Sequence, residues 1–140
     1  MEMNVFHLLA VLLILTLGCS DPTYLTVKGQ VIHRDSTDLR FASDSIELQS
    51  VSDPKLIAYG GLSETGEFNI ESLVNGKIMR GVPAGKYRVR LVVSDDDYEH
   101  KKLFASKIDQ KYSSYERSGW SLEVPSNNVS LEISGPSKSK

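Results

Sequence analysis

One cysteine, Cys19, supplies the only thiol of the 140-residue chain. It follows an apolar run, Val5–Leu17, and the small residue Gly18. The run is too short for a membrane-spanning helix, which needs about 20 apolar residues, but it suits the apolar core of a signal segment that is removed on maturation. Cleavage after Gly18 would make Cys19 the first mature residue, with its sulfur available for acylation.

The segment that ends at Cys19 resembles the signal of bacterial lipoproteins. This resemblance implies a diacylglyceryl group on the Cys19 sulfur, and two lipid chains suffice for stable anchoring. A membrane is therefore an expected partner, and the cell envelope is the expected location. Ser20, at the second mature position, favours the outer membrane or the periplasmic face. The alternative is a plain secretory signal in which the cysteine is accidental.

The composition excludes some classes of partner. The chain has 16 basic and 18 acidic residues and a formal net charge of −2 at pH 7. Nucleic-acid-binding proteins show a basic patch or stripe, so nucleic acid is not an expected partner. Acylation of Cys19 would leave no thiol for a disulfide, and the mature chain, residues 19–140, is long enough for one domain with its own core.

An acidic run, Asp95, Asp96 and Asp97, opens a long segment, residues 95–118, which we predict to be a loop. Carboxylate oxygens are the ligands that calcium prefers, but the spacing is not that of an EF-hand and two lysines follow the run. We therefore predict no metal site here, with a calcium site as the less favoured alternative.

Aromatic residues in the same segment raise the possibility of a binding surface, because aromatic side chains are enriched at such surfaces. The candidate binding loop consists of Asp95, Asp96, Asp97, Tyr98 and Tyr115. The favoured alternative is that Phe104 and Tyr112 pin the loop to the domain and that Trp120 belongs to the core.

No residue pattern predicts catalysis. His33 has the inward parity of the first strand, and we predict a partly buried structural role, whereas His100 in the acidic segment is predicted to be solvated. Two scattered histidines without a second cysteine do not supply the three or four ligands of a metal site. The nucleophile pattern G-x-S-x-G is absent from the sequence. We therefore predict no catalytic residue and no cofactor.

The elements that must position these residues read as short strands. Alternation is clearest in Tyr87–Val93, where Tyr87, Val89 and Leu91 share one face. The other predicted strands are Leu25–Ile32, Ile46–Gln49, Leu56–Tyr59, Phe68–Ile70, Lys77–Arg80, Trp120–Val124 and Val129–Ile133. Gly66 predicts a turn with positive φ, and Pro125–Asn128 predicts a hairpin-like turn.

This pattern predicts an all-β protein, an antiparallel β-sandwich of about seven strands. The predicted domains are a signal peptide (1–18), a lipidated tether (19–23), the sandwich (24–134) and a flexible tail (135–140). No segment shows the period of about 3.6 residues that is typical of an amphipathic helix.

The order of these motifs resembles the carboxypeptidase-regulatory-like domain, which has a transthyretin-like sandwich, in small lipoproteins of planctomycete-type bacteria. The matching segments are Val27–Val31, Ala42–Leu48, Thr65–Phe68, Gly81–Val89, Lys111–Tyr112 and Ser118–Val124. The resemblance implies a fold and a location but no catalytic residues. Transthyretin-like hydrolases of hydroxyisourate end in a different tail from Ser137–Lys140, so that activity is not expected.

These observations predict a lipid-anchored cell-envelope module with a structural or protein-binding role. Its partner would be an envelope protein or a glycan, bound by loop surfaces or by a free sheet edge. The alternative is an extracellular accessory module that binds carbohydrate or peptide, with or without calcium.

Overall fold

The computed structural model describes residues 20–137, which form an all-β fold with one α-helix and one short 3₁₀ helix. The strands are β1 (Tyr24–Leu25), β2 (Lys28–His33), β3 (Ser45–Ser50), β4 (Ile57–Gly61), β5 (Glu67–Asn69), β6 (Glu71–Val74), β7 (Lys77–Arg80), β8 (Val82–Pro83), β9 (Gly85–Val92), β10 (Ser121–Val124) and β11 (Val129–Ile133). The helices are α1 (Tyr98–Lys107) and the 3₁₀ helix Gln110–Ser113. The predicted cleavage position Gly18, the acylation site Cys19 and residues 138–140 lie outside the described residues.

The larger sheet contains six antiparallel strands in the order β10-β9-β3-β4-β6-β7. The predicted alternation of β9 is confirmed, because Tyr87, Val89 and Leu91 are each 1% exposed. On β3, Ile46 and Leu48 share this inner face. The opposite, outer face of the six-stranded sheet carries the polar residues of the same strands.

A three-stranded sheet, in the order β11-β2-β5, forms the second layer, and β1 and β8 form a separate two-stranded pair. The inward residues of the three-stranded sheet include Val31, Phe68, Leu131 and Ile133, all buried against the larger sheet. The predicted all-β sandwich is thus confirmed, and the pairing of β2 with β11 is its one parallel ladder within residues 20–137.

The prediction that Pro125–Asn128 joins two paired strands is wrong, because the strands on either side of it do not pair with each other. The chain reverses there, but β10 pairs with β9 in the larger sheet whereas β11 pairs with β2 in the smaller one. Both strands alternate cleanly, and alternation indicates a buried face without indicating which sheet the strand joins. The turn therefore carries the chain from one layer to the other.

Two glycines are required where backbone segments approach each other. Gly66 has the predicted positive φ, +87°, and a Cβ there would lie 2.4 Å from the carbonyl oxygen of Val31. Gly81 has φ +92°, and its Cβ would lie 2.0 Å from the carbonyl oxygen of Leu25. Any side chain at Gly81 would push β1 away from the start of β8.

The predicted loop at residues 95–118 is the clearest error, because α1 occupies its first half. Asp97 caps the helix, and its carboxylate accepts hydrogen bonds from the backbone N–H groups of Glu99 and His100 at 2.9 and 3.1 Å. Only Phe104 is buried along the helix. A helix that buries a single side chain leaves almost no periodic apolar signal in the sequence. Across residues 20–137, no helix is long and apolar enough to cross a membrane.

Candidate functional site

The three carboxylates of the acidic run have local hydrogen-bond or ion-pair partners, and their role in binding stays a prediction. The Asp97 carboxylate caps α1, the Asp96 carboxylate accepts from the Ser94 hydroxyl at 3.2 Å, and Asp95 pairs with Lys101. Each carboxylate therefore has its own local partner. Within the described part of the chain, no three His, Cys, Asp or Glu side chains are placed to hold one metal ion.

The two candidate tyrosines lie in separate places. Tyr98, in the first turn of α1, is 73% exposed. Tyr115 lies on the outer face of the six-stranded sheet, where its hydroxyl donates to the Glu47 carboxylate and its ring lies 4.7 Å from the Arg90 guanidinium carbon. The structure thus gives Tyr98 an exposed position on α1 and Tyr115 a position bound to the sheet, and binding by either residue stays a prediction.

Tyr115, Glu47 and Arg90 form a closed cluster on that outer face. Arg90 Nε and Nη2 donate to Glu47 Oε1 at 2.8 and 2.6 Å, and the Glu47 side chain is 9% exposed. Burial, then the hydrogen bond to Glu47, raises the pKa of Tyr115 well above its usual value of 10.0. Tyr115 therefore stays a neutral donor, and the cluster fixes the segment after the 3₁₀ helix on the sheet.

A second polar cluster was missed in the sequence. Asp44 is 0% exposed at its side chain, and both its oxygens lie 3.0–3.1 Å from His100 Nε2. The Ser94 N–H donates to Asp44 Oδ1 at 3.0 Å. The prediction that His100 is solvated is wrong, because its ring also packs against Phe104, with centroids 4.9 Å apart.

Burial governs the electrostatics of this second cluster. Loss of solvent raises the pKa of Asp44 above 3.8, and the hydrogen bonds from Ser94 and His100 act in the opposite direction. The pair joins the start of β3 to the first turn of α1. The spacing of Asp97, His100 and Phe104, a cap followed by two residues on one helix face, was the signal in the sequence.

His33 has the predicted structural role. The Asp35 N–H donates to His33 Nδ1 at 3.1 Å, which assigns the ring proton to Nε2, and Nε2 then donates to the Lys107 carbonyl oxygen at 2.9 Å. The ring joins the end of β2 to the last turn of α1. Phe104 and Tyr112 are buried as expected, while Trp120 is only partly buried and stacks on Tyr112 at 4.8 Å.

A straight row of polar side chains crosses the outer face of the six-stranded sheet. The register places Arg90 opposite Glu47, Glu47 opposite Tyr59, Tyr59 opposite Glu71 and Glu71 opposite Arg80. The first half of the row is clamped by Tyr115. The second half of the row, which consists of Tyr59, Glu71 and Arg80, is exposed, and the exposed fraction of Tyr59 is 48%.

Beside this exposed half lies an apolar pair at the edge of the sheet. Leu73 of β6 and Ile78 of β7 are directly opposite each other and are 66% and 68% exposed. All four residues of β7 are exposed. We call Tyr59, Leu73 and Ile78 the edge patch. The sequence predicted the strand Lys77–Arg80, but it did not predict that this strand lies at the edge of the sheet.

A groove on the outer face of the three-stranded sheet has a volume of about 560 Å³. Two rows of polar side chains border it, and the backbone of Gly29 forms part of its floor. The bordering side chains are Lys28, Gln30, Glu67, Asn69, Asn128 and Ser130. Pockets for small molecules are mostly apolar, so this groove has the character of a polar surface.

The fold and these surfaces define a small β-sandwich in which β7 pairs with no strand of residues 20–137 on its outer side. Comparison with protein families, with curated proteins and with solved structures finds no match to this chain.

Proposed function

We propose that this protein is a lipid-anchored cell-envelope module that binds a protein partner through the edge patch. The observation that carries the proposal is the exposure of Leu73 and Ile78, 66% and 68%, side by side at a sheet edge. Exposed apolar side chains that cluster, rather than occur singly, mark interaction sites. Tyr59 extends the cluster, and tyrosine is enriched among the residues that dominate interface energies.

The polar clusters support a binding role without catalysis. Glu47 and Tyr115 are engaged with each other and with Arg90, and Asp44 is engaged with His100 and Ser94. Their bonds join the helical segment to the sheet. A nucleophile or general base needs a free reacting atom within reach of a substrate, which these closed clusters do not offer.

The short tether fits an anchored module. Only Ser20–Thr23 separates Cys19 from Tyr24, which pairs with Pro83. A fully extended chain gains at most about 3.6 Å per residue, so a lipid on Cys19 would hold the domain within about 18 Å of the bilayer surface. Envelope partners would therefore be met at the membrane.

The anchor is tested by feeding cells a labelled fatty acid. We expect label on the wild-type protein and none on Cys19→Ala, since the sulfur is the proposed acylation site. Label on neither protein would remove the membrane from the proposal.

The partner is tested by photo-crosslinking in intact cells. A photoreactive residue at position 78 is compared with one at position 32, because Ile32 is also exposed, at 42%, but lies on the three-stranded sheet. We expect one discrete crosslinked protein from position 78 and none from position 32. Equal labelling from both positions would contradict a specific edge patch.

The polar groove favours a second candidate, carbohydrate or peptide binding. Six side chains with hydrogen-bonding groups border its volume of about 560 Å³, as a polyol or an extended backbone would require. Retention on immobilised envelope polysaccharide, lost in Gln30→Ala together with Asn69→Ala, would support this candidate over the edge patch.

A further inference from the structure

The hydrogen-bonding phase of β7 determines which backbone groups face the open edge. Gly81 N–H donates to the Ile70 carbonyl at 2.8 Å, and the register continues this phase to the pairs Ser72–Met79 and Val74–Lys77. In an antiparallel ladder the alternate residues direct their N–H and C=O groups away from the partner strand. Ile78 and Arg80 therefore present theirs to the open edge.

The turn before β7 agrees with this phase. Asn75 and Gly76 have φ of 50° and 76°, as a two-residue hairpin turn with two positive φ values requires. Such a turn is closed by a hydrogen-bonded pair, here Val74 and Lys77. Two independent observations thus assign Ile78 and Arg80 to the outward positions.

The charge of this edge is positive. Lys77 and Arg80 are the charged residues of β7, and both are exposed. Neither forms an ion pair with another residue in the 20–137 range. Glu71 lies opposite Arg80 on the inner neighbour, β6, so the edge itself has no acid.

We propose that β7 accepts an extended acidic segment of a partner protein as an added β-strand. The segment bonds to the backbone of Ile78 and Arg80, places an apolar side chain opposite Ile78, and places acidic side chains opposite Lys77 and Arg80. Strand addition takes its affinity from main-chain hydrogen bonds and its specificity from alternate side chains. This inference rests on the proposed function and names the chemistry of its partner.

A second copy of the chain fits the same edge less well. Edge-to-edge pairing of two β7 strands would bring four cations together on eight residues. Lysine on an edge strand is a common protection against such self-pairing.

The test uses the full-length chain, ¹⁵N-labelled, with two synthetic peptides, Glu-Val-Val-Glu and Lys-Val-Val-Lys, whose charged ends lie opposite Lys77 and Arg80 and whose valines lie opposite Ile78 and Met79. We expect the acidic peptide to shift the amide signals of Lys77–Arg80 and the basic peptide to leave them unchanged. Binding should weaken at high salt, because exposed charges are screened. Shifts confined to the three-stranded sheet would overturn the inference.

Two variants at one position separate charge from backbone. Arg80→Gln removes only the charge, and we expect about threefold weaker peptide binding. Arg80→Pro also removes the outward N–H, and the loss of a backbone hydrogen bond should weaken binding a further fivefold or so while the fold is kept. Lys55→Gln, in the connection between β3 and β4, is the matched control and should bind as the wild type.

The outcomes distinguish this inference from the proposed function. A discrete crosslink from position 78 together with equal peptide binding by Arg80→Gln and Arg80→Pro would overturn strand addition and leave the edge patch in place. No crosslink from position 78 would overturn both. A dimer in sedimentation that Ile78→Asp dissociates would identify a second copy as the occupant instead.

Discussion

The two halves of the six-stranded sheet are used differently. On β9 and β3, Arg90 and Glu47 are covered by Tyr115, and Asp44 at the start of β3 is buried beneath His100. On β6 and β7, the apolar pair Leu73 and Ile78 is left exposed. We call the half with β9 and β3 the clamped half, because ionisable side chains hold it together. We call the half with β6 and β7 the open half, because apolar side chains and outward-facing backbone groups characterise it.

The difference shows why the chemistry of a residue is a poor guide to its role here. Asp97 belongs to the acidic run that was a candidate for binding, and it caps α1, whereas His100, predicted to be solvated, is the hydrogen-bond partner of Asp44. The residues with the greatest capacity for binding are ordinary ones, Leu73 and Ile78. Their position in the fold, rather than their type, makes them candidates.

The largest expected effect breaks the clamped half. Phe104 is 1% exposed and packs against Phe41 and His100. Phe104→Ala should lower the free energy of unfolding by about 3–5 kcal/mol, because it leaves a cavity under α1. Urea denaturation gives the value, and Leu103→Ala, 45% exposed on the same helix, is the control and should change it by less than about 1 kcal/mol. Equal losses in both variants would show that α1 is not clamped through Phe104.

The next largest effect tests which residues of β7 direct their backbone N–H groups away from β6. Met79→Pro removes an N–H that bonds to β6 and leaves an acceptor unpaired, which should cost about 2 kcal/mol. Arg80→Pro removes an N–H that faces outward, so its cost should be clearly smaller. The two midpoints of thermal unfolding are compared directly. The reverse order would place Met79, not Arg80, at the outward position.

Tyr115→Phe sharpens the comparison from the clamped side. It removes the hydroxyl that donates to the Glu47 carboxylate and keeps the ring against Arg90. A hydrogen bond to a charged group is worth about 1.5–3 kcal/mol, and the partial exposure of Arg90 places the expected loss near the lower figure. A double-mutant cycle with Glu47→Gln should give a coupling of similar size, and independent effects would contradict a shared cluster.

Tyr115 should also affect how the free energy of unfolding depends on pH at alkaline pH. Because its pKa in the folded state is raised above 10.0, the folded state keeps a proton that the unfolded chain releases. Its contribution is therefore complete below pH 10 and is lost as the pH rises above it. Tyr115→Phe should lose stability more gradually over this range than the wild type, whereas Tyr98→Phe should follow the wild type.

Asp44 predicts a pH effect at the acidic end. Its folded-state pKa is raised above 3.8, so between 3.8 and the folded value the folded state holds a proton that the unfolded chain has lost. The Asp44 contribution thus falls as pH rises through this window. Asp44→Asn should remove this part of the stability profile, and Asp38→Asn, exposed in the same connection, should retain it. An unchanged profile in Asp44→Asn would assign the effect to other groups.

The sequence predicted the strands better than their arrangement. Alternation located β3, β9 and β11 within a few residues, because each of these strands buries one face. It did not separate β10 from β11 by sheet, since sheet membership depends on contacts between strands distant in the sequence.

The helix and the site were harder to predict for a related reason. Asp97 was interpreted as one of three consecutive acids and not as a helix cap. The helix itself was not predicted, because α1 buries only Phe104 and shows no apolar stripe. Likewise, β7 was recognisable as a strand from Lys77–Arg80. That nothing pairs beyond β7 in the described range is a property of the whole sheet, and local sequence does not encode it.

The smallest expected effect on stability lies at the open edge and should accompany the largest effect on binding. Ile78→Thr keeps the β-branched shape at a position that is 68% exposed, so the free energy of unfolding should change by no more than about 0.5 kcal/mol. Crosslinking from a photoreactive residue at position 73 should nevertheless fall sharply in this variant. The reason is that Ile78, the apolar residue opposite position 73, no longer contacts the partner. Ile46→Val on the buried face should do the opposite, with a measurable loss of stability of about 1 kcal/mol and unchanged crosslinking. Parallel losses of stability and crosslinking in Ile78→Thr would mean that the edge patch serves the fold, and the contrast between the two halves of the sheet would fail.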